Sequence, residues 1–191
     1  MSLSDKIWWT RKSRIQTEKR LLSNNFQAQI ILLWYALFSV AVSIYYLIQK
    51  SSSDIAPGIW VILSVFSLTA STFVSALDFK SRASLVKECY EYLDTLYNLS
   101  KNTTDLEKIQ NIQTKYNKTL ALCENHTEFD YRAARCEMHF SGNKNFSPAI
   151  TKYEIFIWAA SKFSKFLFLI IIYASPAALF LVLEVNNACS R

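Results

Sequence analysis

Two uninterrupted apolar runs, Ala28 to Ile48 and Pro57 to Leu77, constrain this chain more than any other feature of its sequence. At about 1.5 Å of rise per helical residue, each reaches across the roughly 30 Å hydrocarbon core of a bilayer, where a helix satisfies its own backbone polar groups. The segment between them, Gln49 to Ala56, leaves room only for a turn, so the pair is predicted to form a transmembrane helical hairpin. A third run, Phe166 to Val185, meets no charge until Glu184 and is long enough to cross as well. The first run follows a basic region, as a secretory signal would. Its apolar stretch exceeds a signal core, however, and Tyr45-Tyr-Leu-Ile-Gln-Lys-Ser lacks a small-x-small cleavage pattern, so it is expected to stay as a helix.

With two glycines and three prolines in 191 residues, there is little material for tight β-turns or glycine-rich phosphate loops. The predicted fold class is an all-α integral membrane protein. The net charge of +6 is spread over the non-apolar segments and crowds beside the runs, which reads as a topology signal rather than nucleic-acid readout. Residues 1–27 carry Lys6, Arg11, Lys12, Arg14, Lys19 and Arg20, against Lys50 alone between the first two runs, so the amino terminus is expected in the cytoplasm. Lys80, Arg82, Lys87, Lys152, Lys162 and Lys165 place the middle segment on the same side and the Asn186 to Arg191 tail outside. Five glycosylation sequons, at Asn98, Asn102, Asn117, Asn125 and Asn145, would suit a lumenal middle segment; the charge bias opposes it, and they read as chance in an Asn/Ser/Thr-rich stretch.

The chain thus reads as one unit: a basic amphipathic helix over 1–27, crossings over 28–48 and 57–77, a cytoplasmic antiparallel helical hairpin within 78–147, and a long helix that is cytoplasmic over 148–165 and crosses over 166–185. In the hairpin, Leu85, Cys89, Tyr92, Leu96 and Leu99 line one helical face, and Leu106, Ile109, Ile112, Tyr116, Leu120 and Cys123 line the next. Thr104 and Glu107 have the spacing of a capping box, and Ser147-Pro148 that of an N-cap followed by proline at the first helical position. Pro176 is expected to kink the last helix, with Ser175 or neighbouring helices meeting the freed backbone groups. That helix reads equally as a mechanical coupler and as a plain packing helix. Trp8, Ile15, Leu22 and Phe26 make a narrow stripe flanked by Arg11, Lys12 and Lys19. Such a helix either lies on the anionic leaflet, with Trp8, Trp9, Arg11 and Lys12 as interface anchors, or docks on the cytoplasmic hairpin of the same or another subunit.

Lys6-Ile-Trp-Trp-Thr-Arg-Lys-Ser-Arg-Ile-Gln-Thr-Glu-Lys-Arg-Leu-Leu, then Leu33-Trp-Tyr-Ala-Leu-Phe-Ser-Val opening the hairpin, then Glu124-Asn-His-Thr-Glu-Phe-Asp-Tyr between the cytoplasmic helices, together resemble the SLATT family of bacterial two-transmembrane effectors. The third crossing departs from a minimal two-crossing description. The resemblance implies a pore-forming or membrane-disrupting effector in the inner membrane, tied to a nucleotide second-messenger synthase or a reverse transcriptase, that kills or arrests an infected cell. A homo-oligomer in the lipid bilayer is expected, with a cyclic nucleotide or a cytosolic sensor or synthase as candidate partner.

Ser64, Ser67, Ser71 and Ser75 fall on one side of the second crossing, and Tyr35, Ser39, Ser43 and Tyr46 make a weaker polar stripe on the first. A ring of such helices would line a narrow aqueous path with hydroxyls, although small hydroxyl residues equally serve close helix packing. No crossing holds a central charge, which argues against a proton- or ion-coupled transporter. Cys123, His126, Cys136 and His139 form a repeat conceivable as a zinc site, but their spacing fits no common finger. The favoured reading makes the cysteines small core residues and His126, Asp130 and Tyr131 a polar latch, with Arg132 and Arg135 nearby or receiving a nucleotide phosphate. No catalytic motif or cofactor loop is present, so no enzyme activity and no cofactor is expected. A non-conducting membrane anchor that recruits a cytosolic partner is the alternative function.

Overall fold

A computed structural model describes residues 2–49, 55–142 and 150–189. Those residues form six helices and no strand: α1 (Leu3–Gln49), α2 (Ile55–Ala76), α3 (Phe79–Lys101), α4 (Leu106–Leu122), α5 (Glu128–Phe140) and α6 (Lys152–Cys189). Three segments, Leu3–Ile48, Pro57–Lys101 and Lys152–Asn186, contain a stretch long and apolar enough to span a membrane. The chain divides into two compact units, one of Met1–Asn24 with Phe79–Ser161 and one of Asn25–Asp78 with Lys162–Arg191, so α1 and α6 each contribute to both.

Helix α1 runs for 47 residues without the expected boundary between a basic helix over 1–27 and a crossing over 28–48. It contains neither glycine nor proline, and nothing in its backbone chemistry stops it. The turn expected over Gln49 to Ala56, with Lys50, lies mostly outside the described residues; Ile55 and Ala56 already belong to α2. Pro57 falls in the first turn of that helix, where its missing N–H is no loss. Asp78 ends α2 with φ of 45°, a left-handed conformation that its short polar side chain tolerates better than a β-branched one would, and α3 begins at the next residue.

In the first unit, α3 and α4 pack antiparallel: Arg82 pairs with Glu124, the Cys89 thiol donates to the Thr119 carbonyl, and Leu93 and Leu96 pack with Tyr116 and Ile112. The buried face of α3 is Ala83, Val86, Cys89, Leu93 and Leu96. The predicted face is therefore corrected, since Leu85, Tyr92 and Leu99 are 49%, 43% and 49% exposed. Both sets repeat at helical three- and four-residue steps and share Cys89 and Leu96, and the one that meets α1 as well as α4 is buried. On α4, Asp105 rather than Thr104 is the N-cap, accepting from the Glu107 N–H at 3.1 Å, and the helix ends at Leu122. A further helix, α5, follows within the predicted hairpin region; Thr127 caps it and Asp130 closes the capping box. The Ser147-Pro148 cap lies outside the described residues. Ile150 and Thr151 are non-helical, so α6 starts at Lys152 rather than near 148, opened by a Thr151–Glu154 capping pair.

The second unit gathers Val42, Tyr46 and Trp60 into a core with Phe38, Leu63, Leu179 and Phe180 packed against it. Pro176 sits inside α6 and is buried. Proline cannot donate to the carbonyl four residues back, and that carbonyl, Ile172, accepts instead from the Ser175 hydroxyl at 2.9 Å and the Tyr35 hydroxyl at 3.0 Å. Nearby, Trp34 Nε1 donates to the Tyr173 carbonyl at 3.1 Å and the Tyr173 hydroxyl meets Gln27 Oε1 at 3.1 Å. The proline break thus becomes the point where α6 is hydrogen-bonded to α1.

Candidate functional site

The first unit is organised around a buried carboxylate. Asp130, 1% exposed, stands at the third position of α5 and closes the capping box, so its place is set by local helix chemistry. Its oxygens accept from Thr127 N at 3.0 Å, Thr127 Oγ1 at 2.9 Å, Thr17 Oγ1 at 3.1 Å, and Arg20 Nε and Nη2 at 3.0 and 3.2 Å. Burial alone would raise the Asp130 carboxyl, but the Arg20 and Thr127 donors outweigh it and hold it below the ordinary carboxylate value. Arg20 also lies 3.7 Å from Glu124, which pairs with Arg82 of α3. One charge network therefore ties α1, α3, α5 and the 123–127 connection.

Arg14, Thr17 and Arg20 recur every third residue of α1, which places them along one side of the helix. Arg14 is fully buried; its Nη1 donates to the sulfurs of Cys89, at 2.8 Å, and Cys123, and its Nη2 to the Leu120 carbonyl at 3.3 Å. Lys19 pairs with Glu137 at 3.0 Å, and Gln16 donates to the same carboxylate. Burial works against the Glu137 charge, yet the Lys19 and Gln16 bonds keep it below its ordinary range.

The other predicted latch residues surround this network. His126 is half-buried, its Nδ1 has no hydrogen-bond partner, and burial followed by the Arg14 charge pushes it below its ordinary 6.5. Its ring centroid lies 6.5 Å from that of Tyr131, which packs edge-on to Trp9 at 5.8 Å and carries the Arg135 guanidinium 5.7 Å above it. Arg135 is 9% exposed and pairs with Glu154 of α6, while Arg132 pairs with Glu128 at 2.7 Å. Both arginines considered for a phosphate are thus held by carboxylates.

Of the four residues considered as interface anchors, Trp9 is buried and T-shaped to Trp8 at 4.8 Å, Arg11 pairs with Asp94 at 3.1 Å, and Lys12 sits 5.5 Å over the Trp8 ring. The amino-terminal part of α1 docks on helices of its own chain. Its buried face is Ile7, Trp9, Ser13, Arg14, Thr17 and Leu21, whereas Leu22 and Phe26 of the predicted stripe are 44% and 61% exposed.

Among the described residues no group of three or more His, Cys, Asp or Glu is placed to hold a metal. Cys123, His126, Cys136 and His139 are not gathered at one point: Cys123 is engaged with Arg14, Cys136 is buried in α5, and the His139 ring stacks edge-on with Phe140.

In the second unit, Gln29, Leu32, Leu33 and Ala36 of α1 and Ser64, Ser67, Leu68 and Ser71 of α2 line a groove of about 430 Å³. Ser67 and Ser39 are buried, and Ser75 is exposed. The hydroxyls donate to carbonyls of their own helices: Ser39 to Tyr35, Ser43 to Ser39, Ser64 to Val61, Ser67 to Leu63 and Ser75 to Ser71. Each keeps its oxygen lone pairs for another donor.

Long, outward-facing apolar helices joined to a charged helical unit define a membrane-embedded helical protein. The chain belongs to the SMODS and SLOG-associating 2TM effector domain family 5, whose profile matches residues 1–182. The match runs to residue 182 and so takes in most of α6, although the description counts two transmembrane segments. Membership makes it a membrane-associated effector of conflict systems. No curated protein and no solved structure matches it.

Proposed function

We propose that the chain permeabilises the membrane as a homo-oligomer when an infection signal reaches it, leading to death or growth arrest of the cell. The observation that carries this reading is the α1–α2 groove, where Gln29, Ser64, Ser67 and Ser71 interrupt an otherwise apolar wall. Only 17%, 11% and 6% of the apolar windows of the three long segments are buried, so these helices have surface left for lipid and for further copies. In a ring, hydroxyls whose protons are committed to their own carbonyls still offer lone pairs to water or cations. The excess of Lys and Arg before residue 27 supports a cytoplasmic amino terminus in a bacterial inner membrane, with the 186–191 end periplasmic. A nucleotide synthase or reverse transcriptase linkage fits the family; a nucleotide phosphate at Arg132 and Arg135 would have to displace Glu128 and Glu154.

A second reading is favoured by those same hydrogen bonds, since the back-bonded Ser64, Ser67 and Ser75 also suit a non-conducting anchor that recruits a cytosolic partner. Inducible expression with a potential-sensitive dye separates the two. Loss of membrane potential that weakens in a Ser64→Leu, Ser67→Leu, Ser71→Leu variant supports conduction; unchanged potential with the activating partner present supports the anchor.

A further inference from the structure

Arg14 poses a chemical problem that its neighbours answer. It is fully buried, and among the described residues no carboxylate lies within ion-pair distance; its Nε has no partner at all. A guanidinium does not give up its proton, so burial without a counter-charge is costly. What faces it are two sulfurs sharing one nitrogen, those of Cys89 and Cys123. The two thiols are not equivalent. Cys89 is buried and its S–H donates to the Thr119 carbonyl at 3.1 Å. Cys123, just past the end of α4, is partly exposed, and its sulfur only accepts.

We propose that Cys123 is a reactive thiolate held by Arg14, and that Cys89 is its resolving thiol. A hydroperoxide is the oxidant: the Cys123 sulfur attacks the O–O bond, an S–O bond forms, and hydroxide or alkoxide leaves. The Cys89 sulfur then attacks the Cys123 sulfenic acid; the S–S bond forms, the S–OH bond breaks, and the departing hydroxide takes the Cys89 proton as water. Two thiols lose two electrons and the peroxide is reduced to the level of water or alcohol. Sulfurs joined at about 2.05 Å no longer offer a negative charge to the guanidinium. Arg14 would then be buried with neither counter-charge nor thiolate acceptor, so oxidation loosens the docking of Ile7 to Leu21. Cys136 supplies an internal control. It is fully buried, no basic group donates to its sulfur in the hydrogen bonds described, and burial followed by the Glu154 charge pushes its thiol up.

The test uses the full-length chain in detergent, reduced and then treated with hydrogen peroxide, in a Cys189→Ser background so that only Cys89, Cys123 and Cys136 report. Non-reducing peptide mapping is expected to show a Cys89–Cys123 link while Cys136 still alkylates as a free thiol. In Cys89→Ser, where no resolving thiol exists, dimedone should mark Cys123, about tenfold faster than in an added Arg14→Gln change. Amide exchange over residues 7–21 should rise on oxidation and return on reduction by a dithiol. Oxidation of Cys136 as fast as Cys123, or absence of a dimedone adduct at Cys123 in Cys89→Ser, would overturn the proposal.

Discussion

Replacing Asp130 by alanine removes one side chain from five donors at once. The Thr127 N–H loses its cap, a change worth about 1 kcal/mol. The Arg20 and Thr17 bonds go too. A fully buried broken ion pair costs about 3–5 kcal/mol, but Arg20 is 27% exposed and keeps Glu124 at 3.7 Å, so about 2 kcal/mol is the better figure here. Together these give about 3 kcal/mol, or roughly a 100-fold rise in local opening, since about 1.4 kcal/mol is tenfold. Hydrogen exchange on the full chain in detergent reads this directly, and the rise is expected in residues 7–21 of α1 as well as 127–136 of α5, because Thr17 and Arg20 lose their anchor. In a cycle with Arg20→Ala, the double variant should cost less than the two single changes added. A rise below about tenfold, or one confined to α5, would refute the reasoning that Asp130 holds α1 down.

Tyr35→Phe and Ser175→Ala should each lower thermal stability only slightly, because either hydroxyl alone still serves the Ile172 carbonyl; the double variant should cost about 1–3 kcal/mol, more than the two added. Docking of α1 should also weaken in acid in two windows. His126 is depressed in the folded chain, so the unfolded chain takes up the proton first and stability falls as pH drops from about 6.5. Asp130 and Glu137 are likewise depressed, so their contribution is full above the ordinary carboxylate range and is lost as pH falls below it. Denaturation midpoints measured from pH 8 to 3 check this, and His126→Gln should abolish the upper window alone.

What the sequence made legible, and what it concealed, divides along physical lines. The apolar runs announced themselves because a bilayer demands length and composition, and Pro176 announced its own remedy because a missing N–H has one predictable orphan, Ile172. The buried face of α1 was hidden because Arg14, Thr17 and Arg20 look like solvent residues and topology charges until a carboxylate and two sulfurs are known to face them. On α3, the stripe through Leu85, Tyr92 and Leu99 and the buried one through Val86 and Leu93 both include Cys89 and Leu96 at helical spacing, and only the partners decide between them. The Thr127-Glu-Phe-Asp130 cap was present in the sequence as a signal, and it would have revealed α5 had aspartate been read in the glutamate position of the capping box.

Purified full-length protein reconstituted into phosphatidylethanolamine–phosphatidylglycerol vesicles, with potassium efflux as the readout, addresses permeabilisation without any cellular partner. Efflux should rise steeply with protein density and fall about tenfold when Ser64, Ser67 and Ser71 become leucine, since the hydroxyl wall is then lost. Efflux from the leucine variant equal to that from the unaltered chain would contradict a conducting α1–α2 wall.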